Sequence, residues 1–136
     1  MPPVAPDLVG RTFPPTAPYL VTEERVAEFA AASGTPWSGG PAPATFPIVV
    51  AFQAMLALMA DPSVGIALHR VVHGEQRFRY TRPVLPGDTR TATLPVESVR
   101  SLGGADVIGT RSELQDAAGQ HVVTAHAVLV HRGDDA

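Results

Sequence analysis

Apolar residues recur along the chain with two different periods, and the change between them falls near residue 62. In the first half, Val26, Phe29 and Ala30 sit at helical spacing behind Thr22, whose hydroxyl suits an N-terminal cap. Glu23 and Glu24 follow, where carboxylates complement the positive end of a helix dipole, and Gly34 is a natural stop. A first helix is predicted over about Glu23 to Ser33. A second is predicted from near Thr45 or Phe46 to Ala60, through "FPIVVAFQAMLALMA". Pro47 is tolerated there because a first-turn amide has no helical partner, and Asp61–Pro62 ends the helix. Being apolar nearly all the way round, this helix must be wrapped on most sides. It is shorter than the roughly 18–20 residues a bilayer span needs, and Gln53 interrupts it.

From Leu68 the period becomes two, in "HRVVHGEQRFRYTRPV", "DTRTATLPVESVRSL", "ADVIGTRSELQ" and "QHVVTAHAVLVHR". The joints "LPGD", "LGGAD" and "DAAGQ" supply the Gly and Asp that turns require. The expected class is α+β: a single domain over residues 19–132 with one long apolar helix packed across an antiparallel sheet. Residues 1–18 hold six prolines and read as an extended arm lying over that domain, and residues 133–136 as a short tail.

With 136 residues, 45% of them hydrophobic and 17% charged, the chain is one ordinary globular domain that buries about two-thirds of its unfolded surface. A net charge of −3 gives none of the clustered positive potential that nucleic acid or an anionic membrane surface requires. No cysteine is present, which removes disulfides, a thiolate nucleophile and Cys-ligated metals from consideration. The N-terminal "MPPVAPDLVGRTFPPTAPY" has neither the basic nor the apolar region of a signal peptide, so a cytoplasmic setting is expected.

Few polar residues are candidates for chemistry. His69 and His73 stand four apart on a predicted strand, too distant to chelate and with no third ligand in view, so no metal site is expected. His73 and Glu75 form the best internal acid/base candidate. Strict alternation, however, puts His73, Glu75, Arg77 and Arg79 on one solvent-side face, with Val72, Gln76, Phe78 and Tyr80 on the other; only a bulge at Gly74 would turn His73 inward. Gln76, on the apolar face, needs a buried partner: a loop backbone, a subunit contact or a ligand. His121, His126 and His131 read as surface or edge residues, and Asp88 as a turn residue fixing a hairpin entry. Phe52, Met55 and Met59 are core by default, with one or two lining a ligand channel if there is one. Arg77, Arg79 and Arg82 read as a solvated strand face, or as a basic stripe that would meet a phosphate or an acidic partner.

A sheet wrapped round a central apolar helix is the hotdog arrangement. "SGTPW", "APATFPIVVAFQAM", "RVVHGEQRFRYTRPVLPGDTRTATLPVESVR" and "GADVIGTRSELQDAAGQHVVTAHAVLV" resemble the MaoC-like (R)-hydratases and dehydratases over about Val9 to Val130. The likeness is strongest to the subfamily that includes the non-catalytic subunit of two-subunit (3R)-hydroxyacyl-ACP dehydratases. Dehydrating a 3-hydroxyacyl thioester needs a base at C2, an acid for the departing oxygen and donors for the thioester carbonyl. The family supplies acid and base from a G-D-x-N-P-x-H loop after the first helix, and the donors from the start of the central helix. Here the matching stretch is Gly34-Thr35-Pro36-Trp37-Ser38-Gly39-Gly40: Thr35 stands in the Asp position and no His follows. A Thr hydroxyl does not ionise near neutral pH and replaces neither group.

The resemblance therefore implies a subunit of a heteromeric hydro-lyase acting in fatty-acid or polyketide synthesis. It would need no cofactor of its own, since the substrate rides on the phosphopantetheine of an acyl carrier protein or of CoA. Its partner would be a MaoC-like hotdog subunit with the intact Asp/His dyad, in a heterodimer or heterotetramer. By the same resemblance Thr45, Phe46, Phe52, Met55 and Gln76 are the expected substrate-binding residues, the first two at a helix start whose N–H groups hold a carbonyl oxygen or are simply capped. The alternatives are an acyl-thioester-binding or scaffolding homodimer without turnover, a dehydratase self-sufficient through His73 and Glu75, and a thioesterase, for which Gln53 is the one polar residue within the helix.

Overall fold

The structure, a computed structural model, describes residues 7–13 and 15–132, with only the backbone described at Leu68. The first helix, α1, spans Glu23–Ser33 as expected: the Thr22 hydroxyl accepts the Arg25 N–H at 3.1 Å, and Gly34 ends the helix in the left-handed conformation at φ 70°. The second, α2, spans Ile48–Ala60 and so begins later than the sequence predicts. Pro47 explains the delay, because its ring disfavours helical backbone at Phe46. Residues 43–49 instead form tight turns, in which Phe46 N–H donates to Pro43 O, Ile48 N–H to Thr45 O and Val49 N–H to Phe46 O.

The strands are β1 (Thr12–Phe13), β2 (Tyr19–Leu20), β3 (Val71–Tyr80), β4 (Thr89–Leu102), β5 (Ala105–Gln115) and β6 (His121–Arg132). All pairings are antiparallel and the sheet order is β1-β4-β5-β6-β3, with β2 also on β4. β1 comes from the Pro-rich arm and β2 from the residues just after it; both pair with β4, and Leu8 and Phe13 of the arm are in the core. Residues 1–6 of that arm and the tail 133–136 fall outside the described residues.

The core lies between α2 and one face of the sheet. Val50, Ala51, Ala54, Met55, Leu58 and Met59 of α2 are buried, and α2 rests on β4 and β5. Opposite them lie Ala92, Leu94 and Val96 of β4, Ile108 and Leu114 of β5, and Ala125, Ala127 and Leu129 of β6. The helix is wrapped on most sides, as its apolar pattern predicts, but one strip stays open within the single chain: Phe52 is 40% exposed, and Gln53 and Ala57 are exposed with it. At the far edge, β3 pairs only with β6, and its other edge has no strand beside it among the described residues.

Candidate functional site

Two neighbouring features make up the site: the loop from Gly34 to Pro47, and the helix-facing row of β3. The loop contains no ionisable side chain. It is held by backbone and aromatic contacts instead. Trp37 Nε1 donates to Pro41 O at 3.1 Å, Ala42 N–H donates to Val84 O at 2.8 Å, and the Tyr80 hydroxyl donates to Ala44 O. Burial pushes the Tyr80 phenol up to about 12, so it remains a protonated donor and is no acid for catalysis. Phe46 closes the loop from below: its ring meets Phe29 edge-on at 5.4 Å and Tyr19 at 6.4 Å.

On β3 the register slips between His73 and Glu75, so Gly74 is a bulge. His73 pairs with Leu129 while Gln76, Phe78 and Tyr80 pair with Ala127, Ala125 and Val123, all in the helix-facing row of β6. The alternation expected for this strand is thereby corrected: the extra residue moves His73 to the face of Gln76 and sends Val72, 55% exposed, to the other. His73 Nε2 and Gln76 Oε1 are 2.9 Å apart; the amide oxygen can only accept, so Nε2 is the donor of this bond. Glu75 stays on the outer face, 3.3 Å from Arg77 Nε. The proposed His73/Glu75 acid/base pair is contradicted, since the two side chains lie on opposite faces of the sheet.

Other expectations fall differently. Phe46 and Met55, expected at the substrate, are each 1% exposed and belong to the core of the single chain, and the Phe46 amide is already bonded. Thr45 is exposed at the loop end, Phe52 is exposed on α2 and Gln76 is half-buried. Arg77 and Arg79 lie exposed on the outer face of β3, as a solvated strand face, with Arg77 Nε 3.3 Å from Glu75; Arg82 lies past the strand end and does not continue that row, its Nη2 being 2.8 Å from Asp116 Oδ2. His131, read as a surface residue, is 1% exposed because β6 is an interior strand.

Sequence reasoning also missed a charged cluster. Arg90, fully buried, donates to Asp88 Oδ2 and to Thr89 O, and Asp88 Oδ2 also accepts the Leu85 N–H at 2.8 Å. The signal was present, because alternation along "RTATL" places Arg90 in the row of Ala92 and Leu94. Burial pulls the guanidinium pKa of Arg90 down while Asp88 works against that shift. The Asp116 carboxyl is held below its ordinary range, first by the Gln120 N–H and then by Arg82. These groups line an open depression of about 350 Å³, but two arginines and two aspartates leave no net charge in it for a ligand.

The comparisons agree with this geometry. The family described as FAS1-like, dehydratase domain region, matches residues 7–125. A UPF0336 protein of Leifsonia xyli subsp. xyli is 49% identical over 99% of this chain and 100% of its own length, and one of Clavibacter michiganensis subsp. michiganensis is 48% identical over 98% and 99%. Among solved structures, a chain of the C-terminally truncated HadBC (3R-hydroxyacyl-ACP dehydratase) complex of Mycobacterium tuberculosis is 28% identical with a TM-score of 0.78, covering 91% of this chain and 97% of that one. The MaoC-like dehydratase of Rhodospirillum rubrum, 18% identical with a TM-score of 0.62 over 92% of each chain, shares the fold. With a family match across most of its length and full-length relatives near half identity, the chain belongs to the FAS1-like, MaoC-related hotdog dehydratase family, together with the UPF0336 proteins.

Proposed function

We propose that this chain is the non-catalytic subunit of a cytoplasmic (3R)-3-hydroxyacyl-thioester dehydratase in fatty-acid or polyketide synthesis. One observation carries the reading: the loop where acid and base belong has no ionisable side chain, while the fold around it is intact. The partner would be a hotdog subunit with the Asp/His dyad, and the naming of the HadBC neighbour as a dehydratase complex supports such an arrangement. The open edge of β3 and the exposed Phe52 are surfaces such a partner would cover, since a free strand edge and an exposed aromatic both favour association. In the assembly Thr45, Phe52 and Gln76 of this chain would border the acyl channel, and the partner would perform the elimination. The substrate would arrive on phosphopantetheine, from an acyl carrier protein or CoA.

The test is turnover. The purified chain alone should show no hydration of an enoyl thioester above background, and co-expression with a dyad-bearing hotdog subunit should restore it. Robust activity of the chain alone would overturn the reading. Saturable binding of acyl thioester by a homodimer, with no turnover in any combination, would favour the scaffold instead.

A further inference from the structure

Odd-numbered residues of β6 face the helix layer, and His131 is the last of them. Its Nε2 accepts the Ala67 N–H at 3.0 Å. A ring nitrogen that accepts carries no proton, so the neutral imidazole is the Nδ1–H tautomer. Nδ1 has no hydrogen-bond partner among the described residues and lies 4.0 Å from Asp106 Oδ2, while Asp106 Oδ1 accepts the Ser101 hydroxyl at 2.8 Å. Ala67 belongs to the connector between α2 and β3. The Arg70 N–H bonds back to Ala67 O at 2.9 Å, and Val71, the first residue of β3, pairs with His131 itself. A single ring therefore ties the connector to β6 at the point where the open edge strand begins.

We infer that His131 is a proton-sensitive positioning residue: neutral, it fixes the connector and the start of β3, and on taking up a proton it releases them. Imidazolium is a donor at both nitrogens and an acceptor at neither, so no flip of the ring restores the bond to Ala67. The charged and titratable groups facing it are Asp106 from β5, which favours the charged form, and Arg70 and His69 from the turn before β3, which oppose it. Burial is the largest influence and holds the ring below the ordinary histidine value. The unfolded chain binds this proton near pH ~6.5 and the folded chain only at lower pH. The stabilisation is accordingly complete above about pH 6.5 and is lost as pH falls from there toward the folded value. The latch involves this chain alone, whereas its effect on docking rests on the proposed subunit role, because β3 supplies the open edge.

Amide protection factors in the full chain, corrected for the intrinsic pH dependence of exchange, test the latch. For Ala67, and for those of residues 71–73 whose amides bond β6, protection should fall about tenfold as the pH is taken from above roughly 6.5 down through the point at which the His131 imidazole shifts titrate, the scale of one buried hydrogen bond lost. In His131→Gln, whose side-chain oxygen accepts without titrating, the profile should be flat. Flat protection in the native chain, or an equal fall in His131→Gln, overturns the inference. If His131→Gln does not fold, the imidazole nitrogen shifts of the native chain decide: the Nδ1–H tautomer at neutral pH supports the latch and the Nε2–H tautomer excludes it. Docking is read separately, as affinity for the dyad-bearing subunit over the same pH range. A working latch in a chain that binds no such subunit at any pH counts against the subunit role and leaves the latch standing.

Discussion

Two loops meet at one end of the sheet and differ in nearly everything that ionises. The loop over residues 34–47 has no acid or base, whereas the loop over residues 81–88 and the turn over 116–120 gather Arg82, Asp88 and Asp116 around the buried Arg90. A backbone bond from Ala42 N–H to Val84 O joins them. Charge alone therefore does not mark the chemistry at this end. Asp88 and Asp116 accept from Leu85, Arg90, Ala118, Gln120 and Arg82, and a carboxylate so occupied makes a poor base. Charged side chains hold the turns in place, and the loop nearest the proposed channel is left to backbone and aromatic contacts.

The largest expected effect breaks the charged side of this contrast. Asp88→Ala removes the carboxylate from a guanidinium that is 1% exposed, leaving a buried charge without its partner. The cost should be about 3 kcal/mol, read from urea denaturation. A loss near that of an exposed pair, below about 1 kcal/mol, would mean that Arg90 finds water when Asp88 is gone and that the cluster is no architectural lock.

On the other loop, Tyr80→Phe removes the hydroxyl donor to Ala44 O and leaves the ring. One hydrogen bond on a half-open surface predicts a loss of about 1 kcal/mol. The chain's one tryptophan, Trp37, lies within this loop and reports on it by fluorescence. Emission should shift in Tyr80→Phe at denaturant concentrations where the remainder of the chain is still folded. A cost equal to that of Asp88→Ala would erase the distinction between the two loops.

Most of the fold was legible because it depends on periodicity. Thr22, the paired glutamates and Gly34 delimit α1, and the four strands and their three joints follow from alternation and turn residues. The missing dyad was also legible, since an absence of ionisable groups needs no geometry. What the sequence hid depends on long-range placement. His131 is buried because β6 is flanked by β5 and β3, and strand order is not written in any one segment. The open strip on α2 was hidden for the opposite reason: a helix apolar nearly all round predicts burial on most sides and does not say where the uncovered side falls. Gly74 was the costliest ambiguity, because one extra residue exchanges the faces of everything before it.

That bulge gives the smallest effect and the sharpest test of what sets a register. The backbone at Gly74 is not in the left-handed region, so an L side chain meets no backbone penalty there. A Cβ would lie 3.5 Å from Val128 O and 3.6 Å from Val130 Cγ2, both ordinary contacts. The bulge is then held by its neighbours: Val71 and His73 on one side, and Gln76 and Phe78 on the other, all pair with the helix-facing row of β6. Gly74→Ala should cost less than about 0.5 kcal/mol, and proton contacts between His73 and Gln76 should persist in NMR spectra. If those contacts vanish and His73 moves to the face of Glu75, the glycine itself sets the register, and the separation of the two candidate acid/base residues rests on that one position.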